Sequence, residues 1–330
     1  MTYKALLLTK NKDNNVVCNV TNVSEQNNPD LNVKVKVSYS TLNYKDCLAI
    51  SGAPGIVRNY PMIPGIDFVG EVIEENNSEF KIGEQVILNG YGVGEKYWGG
   101  LAQIVNAKSD WLIKKPEKFS AKDSMSIGTA GYTAMLCVME LLDNGVLANK
   151  DDILVTGATG GVGCISLIIL SKMGFKVTAL TGKRDKTEFL KSLGVNQIIY
   201  REDFSVPHKI LEKQKWGGAV DTVGGSTLGK VCAEMKYSGT VVACGNAESL
   251  NLNTTVAPFI LRNIRLIGID SVYQKKSNRI LAWNKLSEIL DGETLKNIST
   301  TINLTEVTKY VNAIIKGNNT GRIVVDINNS

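Results

Sequence analysis

The tightest constraint on this fold lies near the middle of the chain. Asp152-Ile153-Leu154-Val155-Thr156 reads as a short buried strand, and it runs directly into Gly157-Ala158-Thr159-Gly160-Gly161-Val162-Gly163 and a helix starting near Val162. Glycines let a backbone turn sharply and approach a ligand closely. The helix start that follows presents free N–H groups and a partial positive charge. Strand, glycine turn and helix in that order is the setting of a dinucleotide pyrophosphate site. A glycine motif alone is weak support, but this one opens a long α/β alternation.

Short apolar strands recur near 153–156, 175–180, 197–200, 217–221, 240–244 and 264–269, with helices between them at about 162–173 and 184–193. Six such strands predict a doubly wound parallel sheet. Residues 1–120 have a different rhythm. Val33-Lys34-Val35-Lys36-Val37 alternates with period two, and Phe68 to Ile73 and Leu101 to Val105 look similar. Gly/Pro-marked turns separate them, which predicts a small antiparallel, barrel-like domain. A long helix is expected from Ala121 to about Asp143. The tail predicts helices at about 277–291 and 305–316 and a closing strand, Arg322 to Ile327, that returns to the N-terminal domain. A length of 330 residues suits two domains.

The second α/β strand, Phe175 to Leu180, ends in Thr181-Gly182-Lys183-Arg184. Sites for NAD usually carry an acid here to bind the ribose hydroxyls. Two cations and a hydroxyl suit the 2′-phosphate of NADP instead. Asp185 falls one step into the helix.

Composition narrows the function classes. No apolar run reaches the length of a membrane span, and a dispersed net charge of +5 does not argue nucleic-acid binding. Six cysteines, at 18, 47, 137, 164, 232 and 244, form no Cys-x-x-Cys pair and read as reduced thiols, mostly buried as small hydrophobes. A cytoplasmic location is expected. His208 is the single histidine and falls in the α/β half. It reads as a surface residue, which disfavours both a histidine-ligated zinc site and a Ser-His-Asp hydrolase.

The chain resembles the zinc-free medium-chain dehydrogenases/reductases, and more narrowly their quinone oxidoreductase-like and acrylyl-CoA reductase group. The matching stretches are Leu42-Asn43-Tyr44-Lys45-Asp46, Arg58 to Asp67, Trp98 to Ala102, Gly128 to Met135, the Gly160-Gly161-Val162-Gly163 loop, Asp221 to Gly225, Pro258 to Asn263 and Gly268 to Val272. The resemblance spans essentially the full chain. Cys47 departs from the pattern, where a small inert residue is expected, and Asn246-Ala247-Glu248-Ser249 has fewer glycines than the family's loop.

The resemblance implies an α/β fold with a GroES-like β-rich catalytic domain at 1–122 and 266–330. A Rossmann doubly wound parallel sheet is inserted at 123–265, with NADPH in the cleft between the domains. It implies a homodimer and a small-molecule substrate, either an acyl-CoA thioester reduced at its activated double bond (acrylyl-CoA to propionyl-CoA) or a quinone. A non-enzymatic NADPH-binding sensor is a third reading. Tyr44 is the implied proton donor or enolate-stabilising group, with a hydrogen bond to cofactor as its alternative role. The implied cofactor contacts are Tyr44, Thr129, Thr159, Gly160, Gly161, Val162, Thr181, Gly182, Lys183, Arg201, Ile260, Ser271 and Arg322. Asp67, near where zinc relatives carry a ligand, is expected to brace the fold or pair with a cation. Arg58 faces two fates, an anionic substrate group or a surface ion pair. Trp98 either walls the substrate entrance or packs in the core.

Overall fold

The computed structural model describes residues 1–205 and 207–329. It divides into two compact units, Met1–Thr129 with Ser271–Ser330, and Ala130–Asp270.

The second unit holds a six-stranded sheet whose pairings are all parallel. Its spatial order is Gln197–Tyr200, Lys176–Thr181, Asp152–Thr156, Trp216–Asp221, Met235–Ala243, Arg265–Gly268. The direction of winding therefore reverses between Asp152–Thr156 and Trp216–Asp221. Ligands of doubly wound sheets bind outside the strand carboxyl ends at such a switch point. The central strands are buried almost throughout, as two helix-covered faces require. The helix Gly161–Lys172 packs with every residue from Gly163 to Leu170 buried. The expected helix over 184–193 divides into a tight turn, Arg184–Lys186, and a helix, Thr187–Ser192. The Thr187 hydroxyl bonds back to the Arg184 carbonyl at 2.9 Å and competes with helix propagation there.

The first unit is built on a seven-stranded sheet running Ser299–Asn303, Arg322–Asp326, Val33–Thr41, Asp67–Glu75, Gln85–Asn89, Leu112–Lys114, with Ile104–Ala107 paired to Val33–Thr41. A two-stranded ribbon, Thr2–Lys10 with Val16–Ser24, completes it. The closing strand Arg322–Asp326 lies antiparallel to Val33–Thr41, so the two ends of the chain share one sheet. The strand expected at 101–105 begins only at Ile104. Leu101 is diverted upstream: its N–H donates to Pro64 and its carbonyl accepts from Leu6. Pairing with the first strand is limited there to a single antiparallel bridge between Ala5 and Ala102.

The helix Ala121–Asp143 carries a kink at Gly128, whose φ of 49° and ψ of −158° are non-helical. Contrary to the sequence reading, it is long and apolar enough to cross a membrane by length and composition. That apolar window is 78% buried in the protein, the condition of a core helix.

Arg279 organises the segment that re-enters the first unit. It is fully buried and donates to the Asn89 carbonyl at 2.6 Å, the Ser271 carbonyl at 3.3 Å and the Val272 carbonyl at 3.2 Å. Its guanidinium stacks on Tyr91 at 4.4 Å, and Trp283 donates to the Asn89 side chain. A buried cation is tolerable only when its donors are matched in this way. Arg279→Met keeps the aliphatic stem and strands those carbonyls. It should destabilise the protein by about 3 kcal/mol, read as a lower urea midpoint; an unchanged midpoint would contradict this assignment.

Candidate active site

The glycine loop of the second unit is set by a lock between two strand ends. Thr156 Oγ1 donates to Asp221 Oδ1 at 2.7 Å. The Thr222 N–H donates to Thr156 Oγ1 at 3.0 Å, and Thr222 Oγ1 donates to the Thr156 carbonyl at 3.0 Å. Asp221 Oδ2 accepts the Gly224 N–H at 2.7 Å. Asp221 is fully buried, and that burial pushes its carboxyl up to about 6 against the opposing pull of these hydrogen bonds. Gly157 turns away from the lock with φ of 59°, and a Cβ there would sit 2.1 Å from Thr222 Oγ1. Gly157 is therefore demanded by the fold.

Gly160 is different. Its φ of −77° and ψ of 174° suit any residue, and a Cβ would meet only the Gly157 carbonyl oxygen, at 3.2 Å. A Cβ at Gly160 would crowd one backbone oxygen without the overlap found at Gly157, so Gly160 is the less constrained of the two glycines and the one over which a ligand can pass close to the backbone. Gly160, Gly161 and Val162 are partly open, whereas Thr159 is buried. The twelve-residue helix that follows has no side-chain cap at its N-terminus. The helix Gly225–Glu234 contrasts with it. There Glu248 accepts from the Ser226 and Thr227 N–H groups at 3.1 and 3.3 Å and from the Thr227 hydroxyl at 2.6 Å. The glycine-poor stretch around Glu248 thus supplies that helix with its own carboxylate.

At the end of Lys176–Thr181, Thr181 is buried and accepts the Lys183 N–H at 3.1 Å. A Cβ on Gly182 would lie 2.9 Å from the Arg201 guanidinium, so Arg201 rests directly over that glycine. Partial burial holds the Lys183 ammonium below its ordinary value. Lys183 and Arg201 are thus gathered around Gly182. Arg184, counted with Lys183 in the sequence reading, is turned elsewhere. It pairs with Glu202 at 3.0 Å and Asp203 at 3.5 Å and stacks on Tyr200. The acids that follow Arg201 neutralise it. Further along the strand carboxyl ends, Ala243 to Asn246 and Gly268 to Asp270 line an open concavity of about 550 Å³.

In the first unit, Tyr44 opens the helix Tyr44–Ile50 and is 39% exposed. Beneath it lies a buried carboxylate pair. Asp67 accepts Thr41 Oγ1 at 2.6 Å, the Thr129 N–H at 2.7 Å and Asn43 Nδ2 at 3.3 Å. Asp46 accepts the Ile66 and Asn43 N–H groups, both at 2.9 Å. Burial, and then the charge of Asp67, pushes the Asp46 carboxyl up to about 7. Arg322 is 4% exposed and donates to the Ser126 carbonyl at 3.1 Å and Asn43 Oδ1 at 3.2 Å. Its guanidinium is directed into the unit, where it braces the Gly128 kink and the Tyr44 helix start. Asp67 is a brace held by hydroxyl and N–H donors. Ser271 is half-buried with its carbonyl on Arg279, and Ile260 is 72% exposed on the helix Ala257–Arg262. Trp98 packs partly on the core and donates to the Pro61 carbonyl. Arg58 is exposed and makes no ion pair among the described residues; its charge acts on Lys96 instead. His208 sits in the second unit against the Lys209 carbonyl. Among the described residues, no three His, Cys, Asp or Glu side chains are grouped to hold a metal.

Sequence reasoning missed Asp46, Thr156, Thr222, Glu248 and Arg279 as organisers. Asp221 and Asp46 lay in stretches that matched the family, but no local pattern marks an acid as buried.

Comparison with known proteins gives the family. Residues 29–117 match the alcohol dehydrogenase GroES-like domain and residues 161–287 the zinc-binding dehydrogenase domain. The chain is 45% identical to the probable acrylyl-CoA reductase AcuI of Escherichia coli, covering 98% of this chain and 99% of that one. The YhdH oxidoreductase of Salmonella enterica, solved with NADP, has a TM-score of 0.95 at 44% identity, covering 98% of this chain and 99% of the other. The putative quinone oxidoreductase YhfP of Bacillus subtilis is 40% identical over 98% of this chain and 99% of its own. Its structure with NAD bound gives a TM-score of 0.95, covering 99% of both chains. The chain belongs to the medium-chain dehydrogenase/reductase family, in the branch of the acrylyl-CoA reductases and YhfP-type quinone oxidoreductases. It is an α/β oxidoreductase with a GroES-like unit and a Rossmann unit.

The raised Asp46 carboxyl has a definite consequence for stability. The folded state holds this proton more tightly than the unfolded chain, so the contribution is complete below the ordinary carboxylate value and is lost as pH rises through 7. Asp46→Asn should flatten the decline of unfolding free energy between about pH 4 and neutrality, removing on the order of 4 kcal/mol of pH dependence. An equally steep decline in the variant would show that Asp46 is not its source.

Proposed function

We propose that this protein is an NADPH-dependent, zinc-independent reductase of activated carbon–carbon double bonds, with acrylyl-CoA as substrate and propionyl-CoA as product. The observation that carries the reading is the pairing of an open glycine at Gly160 with a cationic rather than acidic ribose end, Lys183 and Arg201 about Gly182. Thr159 to Val162 hold the pyrophosphate on an uncapped helix start. Thr181, Gly182, Lys183 and Arg201 hold the 2′-phosphate. Tyr44, Thr129, Ile260 and Ser271 are the further cofactor contacts proposed, with Arg322 supporting Tyr44 through Asn43. When bound, NADPH supplies the hydride of the reduction.

The rest of the chemistry belongs to the chain. Negative charge gathers on the thioester oxygen as the β-carbon is reduced, and aimed donors stabilise it. The Tyr44 hydroxyl is the donor in reach of solvent and substrate, and it or a water delivers the proton to the α-carbon. Arg58 and Lys96 form a cationic pair in the first unit that fits the phosphates of a coenzyme A. Quinone reduction is the second reading, favoured by the name of the YhfP relative.

A cytoplasmic homodimer is the assembly proposed. Arg265–Gly268 is an edge strand of the sheet, and Val256, Ile260 and Leu261 beside it are 70%, 72% and 61% exposed. An open sheet edge next in the chain to a helix with exposed apolar side chains suits pairing with a second copy.

Two measurements test the reading. The double variant Lys183→Ala/Arg201→Ala should weaken NADPH binding by about 10- to 100-fold while leaving NADH nearly unchanged, the loss of charge-assisted phosphate contacts. Equal losses for both cofactors would remove the 2′-phosphate assignment. NADPH oxidation with acrylyl-CoA should exceed that with a quinone panel by more than about tenfold in kcat/KM, roughly 1.4 kcal/mol of transition-state discrimination. A smaller ratio would favour the quinone reading.

A further inference from the structure

The segments 181–186 and 200–203 meet at Gly182, and between them they carry three acids, Asp185, Glu202 and Asp203. A carboxylate facing this end of the site would repel a 2′-phosphate. It would also accept a hydrogen bond from the ribose hydroxyl that NADH carries in its place. The ion pairs of all three acids run to other cations than the two gathered around Gly182. Lys186 takes Asp185 at 3.0 Å. Arg184 takes the other two. Its Nε and Nη2 atoms donate to Glu202 Oε2 at 3.2 and 3.0 Å, and Nη2 lies 3.5 Å from Asp203 Oδ2. The same guanidinium stacks on the Tyr200 ring at 4.2 Å. That ring is held in turn by its hydroxyl, 2.8 Å from the Thr187 hydroxyl. Arg201 is next to Glu202 in the chain, yet its guanidinium rests over Gly182. Among the described residues no ion pair joins Arg201 to Glu202 or Asp203.

We propose that Arg184 is a specificity-determining residue for NADPH that acts through Glu202 and Asp203, holding both acids away from Arg201 and from the 2′-phosphate. It is a positioning residue: it touches the two acids and Tyr200, not the cofactor. The proposal rests on the reading of Lys183 and Arg201 as the 2′-phosphate site. An arginine suits the task better than a lysine. Its planar fork grips a carboxylate through two nitrogens while its face lies on an aromatic ring. Without that grip, Glu202 is the acid nearest in the chain to Arg201 and competes with the phosphate for it. Asp203 adds a second negative charge beside the same site. Both effects act against NADPH and neither acts against NADH, which has no phosphate to repel. The size of the effect is bounded by solvent. The side chains of Arg184, Glu202 and Asp203 are 54%, 75% and 66% exposed, so their charges are strongly screened.

The test is a comparison of NADPH and NADH binding, by nicotinamide fluorescence titration at low salt, in the unmodified protein and two variants. Arg184→Gln keeps much of the side-chain length and removes the charge. It should weaken NADPH by about three- to fivefold, the scale of an exposed charge interaction, and leave NADH as tight as before or tighter. High salt should shrink the difference. The triple variant Arg184→Gln/Glu202→Gln/Asp203→Asn removes the acids as well and should return the preference for NADPH to that of the unmodified protein. A stabilising surface ion pair with no part in cofactor choice would move the melting temperature but not the ratio of the two affinities. An unchanged ratio in Arg184→Gln therefore overturns the proposal and leaves the cofactor reading standing. A loss of NADPH affinity that persists in the triple variant would mean that Arg184 itself meets the phosphate, and overturns the positioning role. An unmodified protein that binds NADH as tightly as NADPH overturns the 2′-phosphate reading, and this proposal with it.

Discussion

The second unit depends on one buried acid. Asp221 ties its own strand to Thr156 on the neighbouring strand and holds the Gly224 N–H, at the point where the sheet reverses its winding. Hydrogen bonds to an ionised group contribute on the order of 1.5–3 kcal/mol each. Asp221 accepts from Thr156, Val223 and Gly224, enough to offset much of the cost of its burial. The turn at Gly157 follows from this lock, because only a glycine fits against Thr222. The uncapped start of the Gly161–Lys172 helix follows from the turn. The cradle proposed for the phosphates is therefore the outcome of a strand-to-strand constraint rather than a property of the glycines alone.

The first unit repeats the device with a different pair. Asp67 holds the Thr129 N–H beyond the Gly128 kink, and Asp46 holds the Asn43 N–H at the start of the Tyr44 helix. Arg322 reaches from the closing strand to Asn43 and Ser126. Tyr44 and Thr129 are thus set by groups that never face solvent. Placement on rigid backbone is what the donor role proposed for the Tyr44 hydroxyl requires.

The α/β half was legible in the sequence to within a residue or two for strands such as 197–200 and 217–221, because short apolar stretches alternate there with helices; the second of these strands is buried throughout, the first lies at the sheet edge. The antiparallel half was harder. Leu101 looks like a strand residue, yet its backbone serves Pro64 and Leu6 in turn. The glycine loop was read correctly as a turn, but sequence does not separate Gly157, where a side chain would overlap Thr222, from Gly160, where it would only crowd the Gly157 carbonyl. Arg184 and Lys183 are adjacent and chemically alike in sequence. Only the acids at 202 and 203, in the short helix Arg201–Phe204 that follows the neighbouring strand, draw Arg184 away. The buried acids were unreadable because burial of Asp46 or Asp221 depends on which segments pack over it, not on its neighbours in the chain.

That distinction at Gly160 gives the most direct measurement. Calorimetric titration of Gly160→Ala with NADPH, alongside its thermal unfolding, separates the needs of the fold from those of the ligand. The account expects a melting temperature close to that of the unmodified protein, together with NADPH binding weakened beyond detection or nearly so. Unchanged NADPH affinity in a well-folded variant would show that no dinucleotide passes over this loop, and the central claim would fail.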